Sequence, residues 1–325
     1  MSSTPAQGDI WAAFSNQTAE LAEQAGRAVV AVEAGDRVAA SGVHWREGVI
    51  VTAAHLVRRA DEATVTLPGG STVKGTLIGR DATTDLAVVS ISDHSTLRTL
   101  PFASSARVGE FVLAIARSGR GELSASAGII ARTGENWRTW RGGEVDRLLR
   151  PDVRLYPGQS GSVLINGHGE VLGVNSAILA RDSVITLPVE TVDRVANELL
   201  EHGHIAQPYL GIAVQQVPLP PEWQKAAGTT QEQGLLVMHV HPEGPSKRAG
   251  VALGDVIVSI DAQRMDDLRA LRRQLAKKRI QFLRGLNRKV VFNPAAHKGE
   301  LVAVKLLRAG NVIETSVELA DRPTR

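Results

Sequence analysis

Cysteine is absent from this chain, which excludes disulfides, thiolate metal sites and a cysteine nucleophile. Long apolar runs are also missing: none reaches the ~18–20 residues that cross a bilayer. A leader is not visible either. Met1–Asp9 lacks a basic segment followed by an apolar one, so the chain as written predicts a cytoplasmic protein. The periplasm or cell envelope is the alternative if a leader was removed. A large excess of one charge is lacking as well. The net +3 is too small to imply a nucleic-acid partner by itself.

What is present describes a protein with a sizeable core: 325 residues, 43% hydrophobic and 22% charged, enough for two domains or one domain with accessories. The 31 glycines predict many strands and turns. Residues 1–26 read as a tail and a helix, because Trp11, Phe14, Thr18, Leu21 and Ala25 recur at helical steps. That stripe either packs on its own domain or covers a neighbouring subunit. From 27 to 204 short β runs alternate with turns. Strands are predicted at Ala28–Ala34, Gly48–Ala53, Ala63–Leu67, Thr72–Gly79, Leu86–Ile91, Phe111–Ala116, Ser124–Ala131, Ser162–Ile165 and Val171–Ser176. So many short strands suggest a barrel or a sandwich. A helix closes this region, with Val192, Val195, Ala196, Leu199 and Leu200 on one face and Gly203 at its end. Residues 205–325 mix strands with a helix over Met265–Lys278, and Arg279–His297 reads as an insertion or long loop.

Three residues carry the candidate chemistry. His55 ends the apolar run Val49–Ala54, Asp85 precedes Leu86–Ile91, and Ser160 sits between glycines after Pro157-Gly158. A serine hydroxyl is a weak nucleophile until an imidazole takes its proton, and the imidazole needs a carboxylate to fix its tautomer. Two other patterns have bland explanations. The basic run Arg264–Lys289 reads as a solvated helix face rather than a nucleic-acid or acidic-partner site, since only Phe282 offers a stacking ring. His202/His204 and His239/His241 have the spacing of paired metal ligands but no acidic partner near them in sequence.

Thr52-Ala53-Ala54-His55, Asp85-Leu86-Ala87 and Gly158-Gln159-Ser160-Gly161 resemble the three signatures of chymotrypsin-like serine proteases. More narrowly, Asp152–Pro157 and Val171–Ser176 resemble the HtrA/Deg family of protein quality-control proteases. Tyr209-Leu210-Gly211-Ile212 looks like the carboxylate-binding loop of a PDZ domain. Ala249–Ile257 looks like a second PDZ signature, with Val251 in place of a leucine.

The resemblance implies a mainly β fold: a chymotrypsin-like double β-barrel followed by an α+β PDZ domain. His55 would be the base, Asp85 its orienting acid and Ser160 the nucleophile, with Gly158 and Ser160 amides as oxyanion hole. Leu155 would line the primary pocket and favour small or medium apolar side chains. Loops Arg132–Asp146 and Leu179–Ile185 match those that rearrange on activation in the family. Tyr209, Leu210, Gly211, Ile212, Leu268 and Leu271 would hold a peptide C-terminus. Unfolded or damaged proteins would be the substrates, a homotrimer or a multiple of it the assembly, and no metal or cofactor would be needed. One position departs from the family: Ser162 stands where glycine is normal. A glycine-only backbone there would be strained by ~1–3 kcal/mol, and the extra hydroxyl would compete for His55. That departure keeps open an inactive chaperone or peptide-binding protein of the same fold.

Overall fold

The computed structural model describes residues 7–35, 38–57, 61–205, 208–275, 278 and 300–321. The predicted insertion Arg279–His297 and half of the basic run Arg264–Lys289 lie outside them. The chain divides into two compact units, Met1–Ile205 and Ala206–Arg325.

The first unit opens with α1 (Gln7–Gly26) and continues into two closed barrels. Strands β1 (Val29–Glu33), β2 (Ala40–Arg46), β3 (Val49–Ala53), β4 (Glu62–Thr66), β5 (Thr72–Asp81) and β6 (Leu86–Ile91) close in the order β1-β2-β3-β6-β5-β4. The second barrel uses β7 (Phe111–Arg117), β8 (Leu123–Gly134), β11 (Leu148–Pro151), β12 (Val163–Asn166), β13 (Val171–Ser176) and β14 (Ile185–Pro188). A small hairpin, β9 (Trp137–Arg138) with β10 (Glu144–Val145), projects between β8 and β11.

β2, β11 and β14 escape the sequence reading. β14 is buried at all four positions and β2 at all but its last, so neither shows the alternation that marks a half-exposed strand. The cause is double packing. In β3, Ile50 joins the interior of the first barrel with Val30 and Val65, while Val51 faces a core shared with Val163 and Val174 of the second. α2 (Val189–His202) adds Val192, Val195 and Leu199 to that shared core. It ends at Gly203, whose φ of 73° is left-handed and whose N–H donates to Leu199.

α1 divides along its length. Ala25 is buried and Leu21 and Ala22 pack on the shared core, whereas Ile10, Trp11 and Phe14 stay exposed. Its C-terminal end is held by Arg117, a buried guanidinium that donates to Gly26 O at 2.7 Å, Val29 O at 2.6 Å and Gly121 O at 2.7 Å. Burial lowers the Arg117 pKa from its usual value.

The second unit contains a sheet in the order β16-β17-β18-β20-β21, formed by β16 (Ile212–Pro218), β17 (Gln233–Val240), β18 (Val256–Ile260), β20 (Leu301–Arg308) and β21 (Asn311–Glu318). β19 (Gln263–Arg264) pairs with β18, and β15 (Pro208–Tyr209) pairs with β22 (Ala320–Asp321). Two short helices, α3 (Pro221–Ala227) and α4 (Pro245–Arg248), and a helix over 268–275 complete it. Leu210, Leu235, Ile257, Leu271, Val304 and Val317 share its core. No helix among the described residues is long and apolar enough to cross a membrane.

Candidate active site

Register alone brings the histidine and the aspartate together. β3 and β6 pair antiparallel with Ala53 opposite Leu86, so His55, just past β3, meets Asp85, just before β6. His55 Nδ1 lies 2.9 Å from both Asp85 carboxylate oxygens, and the His55 backbone N–H donates to Oδ1 at 2.9 Å. Ser176 Oγ donates to Asp85 Oδ2 at 2.6 Å. A carboxylate so engaged, only 2% exposed, fixes the tautomer with the proton on Nδ1 and leaves Nε2 with a free lone pair. Asp85 holds a left-handed φ of 62°, a conformation that costs an L-residue about 1–2 kcal/mol. Its carbonyl accepts from Ala54 N–H at 3.0 Å, which locks the strained turn.

Ser160 stands on a turn closed from both sides. Gln159 N–H donates to Tyr156 O at 3.0 Å, and Tyr156 N–H donates back to Gln159 Oε1 at 2.8 Å. The Gly158 carbonyl accepts from Ser41 N–H at 2.8 Å, which fixes the peptide plane ahead of the serine. Gly158 adopts φ 85°, and a Cβ on it would lie 2.8 Å from Ala39 O. Gly161 is tighter: φ is 88° and a Cβ would meet Ser41 O at 2.0 Å. The N–H groups of Gly158 and Ser160 donate to no backbone acceptor among the described residues. Two free amides flanking one hydroxyl are the donors that an oxyanion requires.

Ser160 itself is 3% exposed, and its Oγ accepts from Ala177 N–H at 3.1 Å. Among the described residues it makes no hydrogen bond to His55. Such catalytic bonds are often long in unliganded sites and tighten only with substrate.

Ser162 does not behave as the family comparison of residues suggests. It is absent from the residues with positive φ, so its backbone needs no glycine. Its hydroxyl, fully buried, accepts from Asn175 Nδ2 at 3.1 Å, while Thr186 Oγ1 donates to Asn175 Oδ1 at 2.7 Å. The side chain braces the strand behind Ser160 and, among the described residues, makes no bond to His55.

The remaining predicted positions are scattered by role. Leu155 is half-buried and packs against the buried cluster of the second barrel that includes Val112, Leu164 and Leu172. In the loop Arg132–Asp146, Trp137 packs on the shared core, whereas Trp140 is 65% exposed. Trp140 Nε1 donates to Ile178 O at 3.3 Å, and Thr139 Oγ1 to Thr83 O at 2.7 Å. In the second unit Tyr209 sits in β15, Leu210 is buried, and Gly211 has φ 76°. The carbonyls of Leu210 and Gly211 accept from Ser246 and His241, while their N–H groups donate to no backbone acceptor among the described residues. Ile212 starts the edge strand β16. Leu268 is 42% exposed, but Leu271 belongs to the core beside Leu210. Asp255 of the second PDZ-like signature is buried and paired with Arg308 at 2.8 Å, a bond that raises the guanidinium's pKa.

No group of three or more His, Asp and Glu residues placed to hold a metal ion occurs among the described residues, so neither His-x-His pair forms part of one. Ser176, Ser41 and Gln159 were not singled out by the sequence. Ser176 is one of several polar residues at a strand end, and nothing local says which carboxylate it will face.

Residues 40–174 match the family described as a trypsin-like peptidase domain, and residues 208–282 match the PDZ domain family. A probable periplasmic serine endoprotease DegP-like of Halomonas elongata is 31% identical over 283 residues, which is 85% of this chain and 55% of that protein. The putative serine protease HhoB of a Synechocystis species is 34% identical over 229 residues, 66% of this chain and 54% of its own length. The chain thus spans about half the length of the curated relatives it matches. Among solved structures, the HtrA-type protease AlgW with a decapeptide aligns with TM-score 0.65 and 25% identity, over 94% of this chain and 99% of that one. With both barrels, the His55–Asp85 pair and the Ser160 turn in place, the chain belongs to the HtrA/Deg family, carrying a trypsin-like peptidase domain and a PDZ domain.

Proposed function

We propose that this protein is a serine endopeptidase that cleaves unfolded or damaged proteins through an acyl-enzyme. The observation that carries the reading is the Asp85 carboxylate, which orients His55 through Nδ1 while Ser160 waits on a turn with two free amides. Ser160 Oγ leaves Ala177 N–H and attacks the scissile carbonyl as His55 Nε2 takes its proton. Asp85 stabilises the imidazolium, and the amides of Gly158 and Ser160 bind the developing oxyanion, each worth about 3–4 kcal/mol of barrier. His55 then protonates the leaving amine, and water repeats the sequence on the acyl-enzyme. Leu155 lines the pocket for the cleaved residue.

The second unit serves as a peptide-binding regulator. The free amides of Leu210 and Gly211 and the edge strand β16 suit a peptide C-terminus added as a strand. Assembly into a homotrimer, or a multiple of it, uses the exposed Ile10, Trp11 and Phe14 of α1. Several relatives are named periplasmic, which supports the periplasm over the cytoplasm. An inactive chaperone is not favoured, because the ordinary φ of Ser162 removes its motive.

A fluorophosphonate probe and casein turnover test the assignment together. Wild type should label and digest, and Ser160→Ala should do neither. Equal turnover by the two would overturn it.

A further inference from the structure

Two arginine–aromatic stacks flank the nucleophile, and catalysis uses neither. The Arg141 guanidinium lies 4.6 Å from the Trp140 ring centroid, and that of Arg154 lies 5.0 Å from the Tyr156 ring. Both rings are large and open to solvent, 65% and 55% exposed. Each is tied to the site by a bond. Trp140 Nε1 donates to Ile178 O, next to Ala177, whose N–H donates to Ser160 Oγ. Tyr156 shares its reciprocal pair of bonds with Gln159, the residue before Ser160.

The charges around these stacks are unevenly matched. Carboxylates on the same hairpin and the chain after it are taken: Glu144 pairs with Arg138 at 3.4 Å and Asp146 with Arg194 at 2.9 Å. Neither Arg141 nor Arg154 has a carboxylate partner among the described residues. Asp152 and Asp182 form no ion pair among the described residues either. Among the described residues, Arg141 donates only to Ala82 O and the Arg154 side chain makes no hydrogen bond. Stacking on a ring holds a guanidinium in place and leaves its planar fork free for a carboxylate.

We propose that these stacks are specificity determinants. On the endopeptidase reading above, on which this rests, the cleft selects segments that carry Asp or Glu close to an apolar cleaved position. The apolar requirement comes from Leu155 and the acidic one from Arg141 and Arg154.

The test uses C-terminally amidated, internally quenched peptides with one central valine flanked by Glu, Gln or Lys. Amidation removes the terminal carboxylate that the PDZ groove would capture. Wild type should give kcat/KM in the order Glu, Gln, Lys, with roughly tenfold between the extremes for two partly exposed ion pairs. The difference should lie in KM and shrink at high salt. Arg141→Gln combined with Arg154→Gln should bring the ratio towards one. Binding of the same peptides to Ser160→Ala, followed by anisotropy, should show the same order. Cleavage without charge preference, or a preference that survives the double substitution, overturns the specificity and leaves the protease reading intact. Charge-selective binding to Ser160→Ala with no turnover by wild type supports the cleft and overturns the protease reading. Unselective binding without turnover overturns both.

Discussion

At the scale of single residues, Asp85 shows how much one side chain organises. It accepts from His55 twice and from Ser176 once, in a backbone conformation that an L-residue avoids. Asp85→Asn should keep the fold but reverse the imidazole tautomer, lowering kcat on the order of 10⁴-fold in steady-state assays. Ser162→Gly tests the neighbouring question. Restoring the family's residue removes the acceptor of Asn175 Nδ2 and should destabilise the protein by about 1–3 kcal/mol in denaturant unfolding, without raising turnover. The pairing of His55 with Asp85 was legible because each residue sits in a distinctive local motif at the end of an apolar strand. The consequence of Ser162 was not, because a φ angle and a partner thirteen residues away are tertiary facts.

At the scale of elements, the sequence shows strands that are unbroken apolar runs and hides those whose apolar residues are interrupted. β6 and β13 were legible as apolar runs, whereas β2, buried on both faces, carries Gly42 and His44 among its apolar residues. His44 gives that strand a measurable property. Its Nδ1 meets Arg98 O at 3.1 Å, its ring stacks on His94, and its buried Nε2 has no partner. Burial lowers its pKa below the usual 6.5, the His94 charge lowers it further, and the Arg98 carbonyl and Glu47 only partly oppose this. The folded state therefore binds fewer protons than the unfolded state, and stability present above pH 6.5 is lost as pH falls below it. Thermal melts of wild type should drop between pH 7 and 5 more steeply than those of His44→Asn, which keeps a donor but cannot titrate.

At the scale of the whole molecule, the exposed end of α1 bears on assembly. Trp11 meets Phe14 edge-on at 6.5 Å, and Phe14 meets Phe111 at 5.1 Å, so the exposed rings form one patch. Replacing Trp11 and Phe14 together by serine should reduce the mass seen by light scattering to that of a single chain. An unchanged mass would exclude α1 from the interface. The helical stripe was readable in the sequence, but which of its residues face inward depended on where Gly26 meets β1. Turnover depends on a smaller feature. On the endopeptidase reading, with Ser160 Oγ resting on Ala177 N–H, chemistry is preceded by an equilibrium, and the observed rate is the intrinsic rate multiplied by the fraction of molecules whose hydroxyl is free. A small covalent probe reads that fraction without any peptide present. A substrate strand that takes the Ala177 amide as its own donor releases the hydroxyl on arrival, so bound peptide, short of saturating the label, should speed modification of Ser160 instead of protecting it.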